Sequence, residues 1–354
     1  MRVVRTSPHI HGPFRTDKAM LFVIIALCPS ALWGIWAFGL SALLVIAVSI
    51  IASVLTEYLL GLVSKEFTLR DYSAVVTGLL VGMNMPPSVP LYIPVIASAF
   101  AMAVVKWTFG GLGCNWMNPA LAGRVFVFFS FTSQMSTFTP VRWMQLDAVS
   151  SATPLSALKT AAASGAVGTS SELLSAAGLP VSDIAASLSS STGLSPYAID
   201  AFLGNVGGCI GEVSALLLLA GGIFLIATKI ITWRIPVVYL GSFAILSWIF
   251  GGIPYGRGMF DGEILLPLFT GGLMLGAFFM ATDWVTTPTT PKGEVIFALG
   301  CGFFTFLIRY FGSLPEGVSL AIILMNIVTP TIERFVKTKR FGAVREKKAK
   351  EAKA

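Results

Sequence analysis

The stretch Asp147-Ala148-Val149-Ser150-Ser151-Ala152-Thr153-Pro154-Leu155 fits the pattern D-x-x-[ST]-x-A-T. With this chain's frequencies of Asp, Ser, Ala and Thr, four matched positions arise by accident on the order of once per hundred such chains. The pattern surrounds threonines that receive FMN through a phosphoester bond, transferred from FAD by a dedicated flavin transferase. On that reading Thr153 is the acceptor hydroxyl, and Asp147 and Ser150 complete the attachment motif. The chemistry asks for an exposed, flexible loop, because the threonine must enter another enzyme's active site and small neighbours let it. An ordinary Ser/Ala-rich turn is the competing reading. Just upstream, Arg142 and Trp143 could contact flavin, guanidinium to phosphate and indole to ring; an interfacial Trp-Arg anchor accounts for them equally well.

Five acids lie within or beside apolar runs: Glu57, Glu212, Asp283, Glu294 and Glu316. A charge at the centre of a membrane helix costs about 2.5–3.5 kcal/mol, so each needs a partner, a proton or an interfacial position. Glu294 and Glu316 start runs, where helix-terminal amides favour a carboxylate. Glu57 and Asp283 remain as candidates for a proton or cation path, with a paired structural role as the alternative; nothing in the sequence chooses between H⁺ and Na⁺. Cys28, Cys114, Cys209 and Cys301 stand alone, without zinc or iron–sulfur spacing, and His9 and His11 share a polar tail, so no metal site is predicted. The cluster Gly204-x-x-Gly207-Gly208-x-x-Gly211 runs into an apolar stretch without a βαβ context, which argues for close backbone packing and against a dinucleotide fold. These amides could also face a flavin phosphate or a lipid head group. The stripe Phe126, Phe128, Phe129 and Phe131 reads as lipid-facing or packing surface.

The elements that must position these residues are membrane helices. Of the 354 residues, 55% are hydrophobic and 12% charged, against roughly 25% charged in a soluble chain, which excludes a soluble enzyme. The apolar runs approach the 20 or so residues that cross about 30 Å of hydrocarbon at about 1.5 Å per residue. Ten spans are predicted, near 20–40, 43–63, 72–86, 91–107, 118–132, 211–228, 235–252, 264–281, 294–311 and 317–332. The first is too long for a signal-peptide core and lacks a small-residue cleavage site, so it is expected to stay. An even count puts both termini on one side. With the termini cytoplasmic, the inner segments carry 20 of the 24 Lys and Arg, and the outer ones hold Arg142, Lys159, Arg257 and Arg309, as the positive-inside rule requires. The net charge of +7 therefore marks a membrane face and not a nucleic-acid partner.

The chain divides into a first membrane half with its amino-terminal tail (1–132), an outer loop carrying the attachment motif (133–203), a second membrane half (204–332) and a basic cytoplasmic tail (333–354). The outer loop is rich in Ala, Ser and Gly, which cannot close a large core of their own. The halves echo one another: Val76-Thr77-Gly78, Gly82 and Pro86-Pro87 against Phe269-Thr270-Gly271, Gly276 and Thr287-Pro288, then Asn118-Pro119 against Asn326 and Thr329-Pro330. Short spans broken by Gly and Pro at matching places point to discontinuous helices meeting near the midplane, an arrangement found in transporters. The predicted fold is all-α: a polytopic membrane protein of about ten transmembrane helices in two related halves.

Several stretches in order resemble the D subunit of the Rnf-type ion-translocating electron-transport complex and its relative, the B subunit of the sodium-translocating NADH:quinone oxidoreductase. They are Arg5-Thr6-Ser7-Pro8-His9, Ser73 to Leu80, Gly110-Gly111-Leu112-Gly113-Cys114-Asn115-Trp116-Met117-Asn118-Pro119-Ala120, Gly207 to Glu212, Met280 to Pro288, and Glu316 to Ser319. The resemblance implies covalent FMN on Thr153, although the family pattern often has Gly where Ser151 stands. It implies electron flow between reduced ferredoxin and NAD, or another acceptor, through flavins and iron–sulfur centres of sister subunits while ions cross an inner (cytoplasmic) membrane. The implied partners are those subunits, the flavin transferase and the lipid bilayer. By analogy with the quinone-reductase relative a second, noncovalent riboflavin is also implied, for which the chain offers no motif. The rival class is a urea-channel-like solute channel or transporter without redox work, which leaves Asp147 to Thr153 unexplained.

Overall fold

A computed structural model of the chain describes residues 15–65, 69–144 and 153–337. Among them all regular structure is helical, without a strand. The first half consists of α1 (Thr16–Phe38), α2 (Leu40–Ser64), α3 (Ser73–Met83), α4 (Tyr92–Phe100), which runs directly into a π-helical stretch (Ala101–Trp107), and α5 (Pro119–Ser130). A short α6 (Thr132–Met135) leads out of it, and α7 (Pro154–Ala163), α8 (Ser170–Ala176), α9 (Asp183–Thr192) and α10 (Pro196–Leu203) make up the intervening segment. The second half consists of α11 (Ala215–Ala227), α12 (Arg234–Phe250), α13 (Leu265–Phe269), α14 (Leu273–Leu275) with a second π-helical stretch (Gly276–Met280), α15 (Pro291–Phe311) and α16 (Val318–Phe335).

Five helices are long and apolar enough to cross a membrane: α1, α2, α12 (extended to Tyr255), α15 and α16. Shorter apolar helices fall at α3, α4 with its π-helical continuation, α5 and α11. Each of the ten predicted spans thus meets a helix or a broken run of helix, and the protein is a polytopic, all-helical membrane protein.

Small residues decide how closely these helices approach. Gly39 alone separates α1 from α2, at φ +80°, a conformation open to glycine at little cost. Gly78 and Gly82, one turn apart on α3, face α2, where an added Cβ would lie 2.6 Å from Ile50 Cα and 2.9 Å from Ile46 Cα. This is the small-xxx-small contact by which membrane helices gain packing when no hydrophobic effect drives them together. At α5, Asn118 accepts from the N–H groups of Ala120 and Leu121 at 3.0 and 3.3 Å, and Pro119 occupies the first helical position, a cap that satisfies otherwise orphaned amides.

The eighth predicted span is broken. Gly271 and Gly272 both adopt positive φ (+66° and +68°), which ends α13 inside the bundle and strands its last carbonyls. Arg309 of α15 answers them: its guanidinium donates to Pro267 O (2.6 Å), Thr270 O (3.0 Å) and Gly271 O (2.6 Å). A backbone break at this depth is tolerated only where protein groups re-satisfy it. Arg309 is 6% exposed, so it belongs to the interior and not to the outer-face charge to which its sequence position assigns it.

Helices before and after the intervening segment meet: α1 packs on α11, and α5 on α16. At the second contact the two asparagines of the sequence echo touch. With its amide nitrogen donating to Ile322 O (3.3 Å), the Asn326 side chain accepts from the backbone N–H of Asn118 at 3.2 Å.

The intervening segment departs from the loop expected of it. Helices α7 to α10 close a small core of Ala157, Leu158, Leu173, Leu174, Tyr197, Ala198 and Ala201 on Leu266 of the second half. The reason is capping more than hydrophobicity: Thr153, Thr169 and Ser182 each accept an amide at a helix start, which lets alanine-rich turns form without a large core.

Candidate functional site

Thr153 lies at the N-cap of α7, where its Oγ1 accepts from Ser156 N–H at 3.2 Å and donates to Ser156 Oγ at 3.1 Å. It is 5% exposed. The expected exposed loop threonine is therefore corrected to a buried cap, because the same hydroxyl that would accept a flavin also starts a helix. Asp147 and Ser150 of the motif lie outside the described residues, as do His9, His11 and the basic tail beyond Lys337.

A cavity of about 20 Å³ adjoins Thr153, lined among others by Gly207, Gly208, Glu212, Gly271 and Glu316. Behind it Arg124 of α5 pairs with Glu316 at 2.5 Å, donates to Ser319 Oγ at 2.6 Å and reaches Cys209 Sγ at 3.7 Å. Glu212 accepts from Cys209 N–H at 3.1 Å. The thiol of Cys209 and the carboxylates of Glu212 and Glu316 offer atoms within 4.8 Å of one another; the guanidinium already supplies the positive charge this cluster needs. The glycine cluster packs as its sequence suggests: a Cβ on Gly211 would strike Met83 at 2.5 Å, and one on Gly204 would strike the Trp33 ring. The small cavity is no flavin pocket. What fits a flavin is its phosphate, since an anion on the N-cap residue faces the first turn of a ten-residue helix and its positive dipole end. Lys159, on the next turn of α7, donates to Arg309 O (2.8 Å) and Leu314 O (3.2 Å), and burial lowers its pKa from the usual lysine range.

Trp143 is 40% exposed, packs on Trp36 (ring centroids 4.5 Å) and donates to Asn205 Oδ1 at 3.1 Å. Arg142 lies beside Gly39. These contacts join the end of α1 and the α1–α2 turn to the start of the outer segment.

A second, larger cavity of about 350 Å³ opens between the halves. Its walls include Val76 and Leu80 of α3, Leu225 of α11 and Phe278 and Phe279 of the second π-helical stretch, and its polar groups are Lys106, Asn115, Asn118, Thr282 and Asp283 with Ser73, Thr16 and Thr77. Both π-helical stretches contribute side chains, and such insertions recur at functional sites. Mostly apolar walls with a few convergent polar groups make a ligand pocket of ordinary size.

Of the two predicted ion-path acids, Asp283 lines this cavity and Glu57 does not. Glu57 of α2 is buried and pairs with Lys106 at 2.6 Å. Asp283 is not inside a helix: it follows the second π-helical stretch, lines the cavity, and accepts from Thr286 Oγ1 (3.2 Å) and Asn115 Nδ2 (3.5 Å). Glu294, on the first turn of α15, pairs with Arg234 at 3.0 Å. Glu316 precedes α16 and answers Arg124.

The profile of the NQR2, RnfD, RnfE family matches residues 3–342. The chain belongs to this family. Curated relatives align nearly end to end. The D subunit of the Na(+)-translocating ferredoxin:NAD(+) oxidoreductase complex of Acetobacterium woodii is 42% identical, covering 99% of this chain and 98% of that one. The D subunit of the proton-translocating ferredoxin:NAD(+) oxidoreductase complex of Clostridium ljungdahlii is 43% identical over 97% and 96%. That of the ion-translocating oxidoreductase complex of Stutzerimonas stutzeri is 36% identical over 92% of each.

In this family member the residues that sequence reading misses are the buried cations. Position along the chain credits Lys106 and Arg124 to inner loops, yet they are 4% and 7% exposed and neutralise Glu57 and Glu316. The signal available is the spacing of acids and bases in separate apolar runs: a buried acid in one run requires a base from another.

Proposed function

We propose that this chain is the membrane flavin subunit of an ion-translocating ferredoxin:NAD-type oxidoreductase, bearing FMN on Thr153 through a phosphoester and a noncovalent riboflavin in the large cavity. The observation that carries the reading is the end of the D-x-x-S-x-A-T pattern on a helix N-cap, in a chain aligned end to end with D subunits of such complexes. There α7 stabilises a phosphate by its first-turn amides, and the buried starting position means that attachment precedes packing of α7 or uses an opening of its first turn. In the large cavity Phe278, Phe279 and Leu80 supply apolar walls for a flavin ring, and Asn115, Thr282 and Asp283 supply donors and acceptors for its polar edge. Flavin suits a relay because it passes electrons singly or in pairs, while the protein fixes position and tunes potential.

The chain works with sister subunits and a flavin transferase in a bacterial or archaeal cytoplasmic membrane, with both termini inside and the outer segment with its flavin outside. Near-equal identity to a sodium-translocating and a proton-translocating relative favours neither ion. Co-expression with a flavin transferase, followed by a denaturing gel under ultraviolet light and extraction of free flavin, tests the reading. A fluorescent band near 37.6 kDa and riboflavin in the extract support it; a dark band with no extractable flavin supports a solute channel.

A further inference from the structure

Lys106 faces two buried sites at once. Its side chain is 6% exposed and its partner Glu57 8%, and Nζ donates to Glu57 Oε1 and to Ser73 Oγ, both at 2.6 Å. Ser73 in turn donates to Asp71 Oδ1 at 2.5 Å. Lys106 and Ser73 line the large cavity, whereas Glu57 and Asp71 stand behind them. Among the described residues lining that cavity Lys106 is the one cation and Asp283 the one acid. The π-helical stretch Ala101–Trp107 carries Lys106; its wider turn changes the register at which a residue on this helix meets its neighbours.

We propose that Lys106 is a counter-charge shared between Glu57 and the ligand of the large cavity, so that an electron held in the cavity is coupled to cation uptake at Glu57. This rests on the flavin reading of the cavity. One buried ammonium compensates one negative charge. An electron delivered from the neighbouring subunits, unaccompanied by a proton, places a second negative charge beside Lys106. Attraction to Glu57 and to the cavity then compete, and the less compensated Glu57 carboxylate gains affinity for a monovalent cation, H⁺ or Na⁺. When the electron leaves, Lys106 returns to Glu57 and the cation is released. Linkage makes the effect reciprocal: a cation bound at Glu57 frees Lys106 toward the cavity and makes the electron easier to hold there. Among the described contacts Ser73 and, through it, Asp71 adjoin the pair, and Asp283 lines the same cavity.

The test is the midpoint potential of the noncovalent flavin in the purified complex, with flavin content measured on the same samples. Lys106→Gln removes the cation and is expected to lower the potential; Glu57→Gln leaves the ammonium uncompensated and is expected to raise it. In the wild type the potential should rise with either Na⁺ concentration at fixed pH or proton concentration at fixed Na⁺, which identifies the cation. The double variant Lys106→Gln/Glu57→Gln removes both members of the pair; if the single variants do not assemble, it decides, and its potential should lose that cation dependence. Absence of noncovalent flavin from the wild-type complex would overturn the reading of the cavity itself. Flavin present, with its potential unmoved in both single variants or its cation dependence kept in the double variant, would show that Lys106 and Glu57 are only a packing pair and overturn the coupling.

Discussion

Thr153 carries two duties in one hydroxyl, and its variants separate them. Thr153→Ala should abolish covalent flavin and, by removing an N-cap, cost about 1 kcal/mol of local stability; Thr153→Ser should keep the cap and part of the flavin. Gel fluorescence and thermal unfolding of the detergent-solubilised protein read the two effects independently. At the ion-path acids, neutralisation should uncouple translocation from electron flow, but with different side effects. Glu57→Gln strands a buried lysine and should reduce the amount of folded subunit, whereas Asp283→Asn keeps its contacts with Thr286 and Asn115 and should not. Paired electron-transfer and ion-uptake rates in vesicles check both; normal coupling in both variants moves the ion path to a sister subunit. The motif and the acids were legible in the sequence because each is a local pattern or an outlier of polarity. The partners of the acids were not, since Lys106 lies 49 residues from Glu57 and Arg124 lies 192 from Glu316, and one sequence carries no record of which distant runs pack together.

Among the elements, close helix contacts make the sharpest claims. Gly78→Val should drive α3 from α2, because the backbone of α2 and not a flexible side chain meets the new atoms, and the yield of folded protein should collapse. Gly241→Ala on α12 meets nothing within 4 Å and should be neutral or slightly stabilising. Thermal melts of the two variants make the comparison. In the outer segment, Glu172 closes a capping box with Thr169, and the Thr169 N–H holds its carboxyl below the usual 4.5. A depressed carboxylate stabilises the fold above the ordinary value and loses that contribution as pH falls through the lowered one. The protection of the Thr169 amide against exchange, taken relative to the intrinsic rate at each pH, should therefore be full at neutral pH and fall in acid. Span positions were readable from apolar runs to within a few residues. The order of the outer segment was not, because Ala and Ser runs are ambiguous until Thr169 and Ser182 are recognised as caps.

At the scale of the whole molecule the helices before and after the outer segment meet, line a cavity of about 350 Å³ between them and support a helical segment that carries Thr153. The sequence showed a loose echo of Gly, Asn and Pro; that its two asparagines touch follows from the packing of α5 on α16. The proposed topology puts that segment outside: a cysteine at Ser164, an exposed position, should react with an impermeant reagent added to intact cells, and a probe at Lys348 only after permeabilisation. Reaction of both from one side would require an even number of crossings between them, in place of the five predicted. The most direct test of the account is a peptide mass map of the protein made together with a flavin transferase. It should place an FMN increment on the peptide containing Thr153 and lose it in Thr153→Ala; an increment that persists in that variant, or that maps to another hydroxyl such as Thr160, would contradict the account.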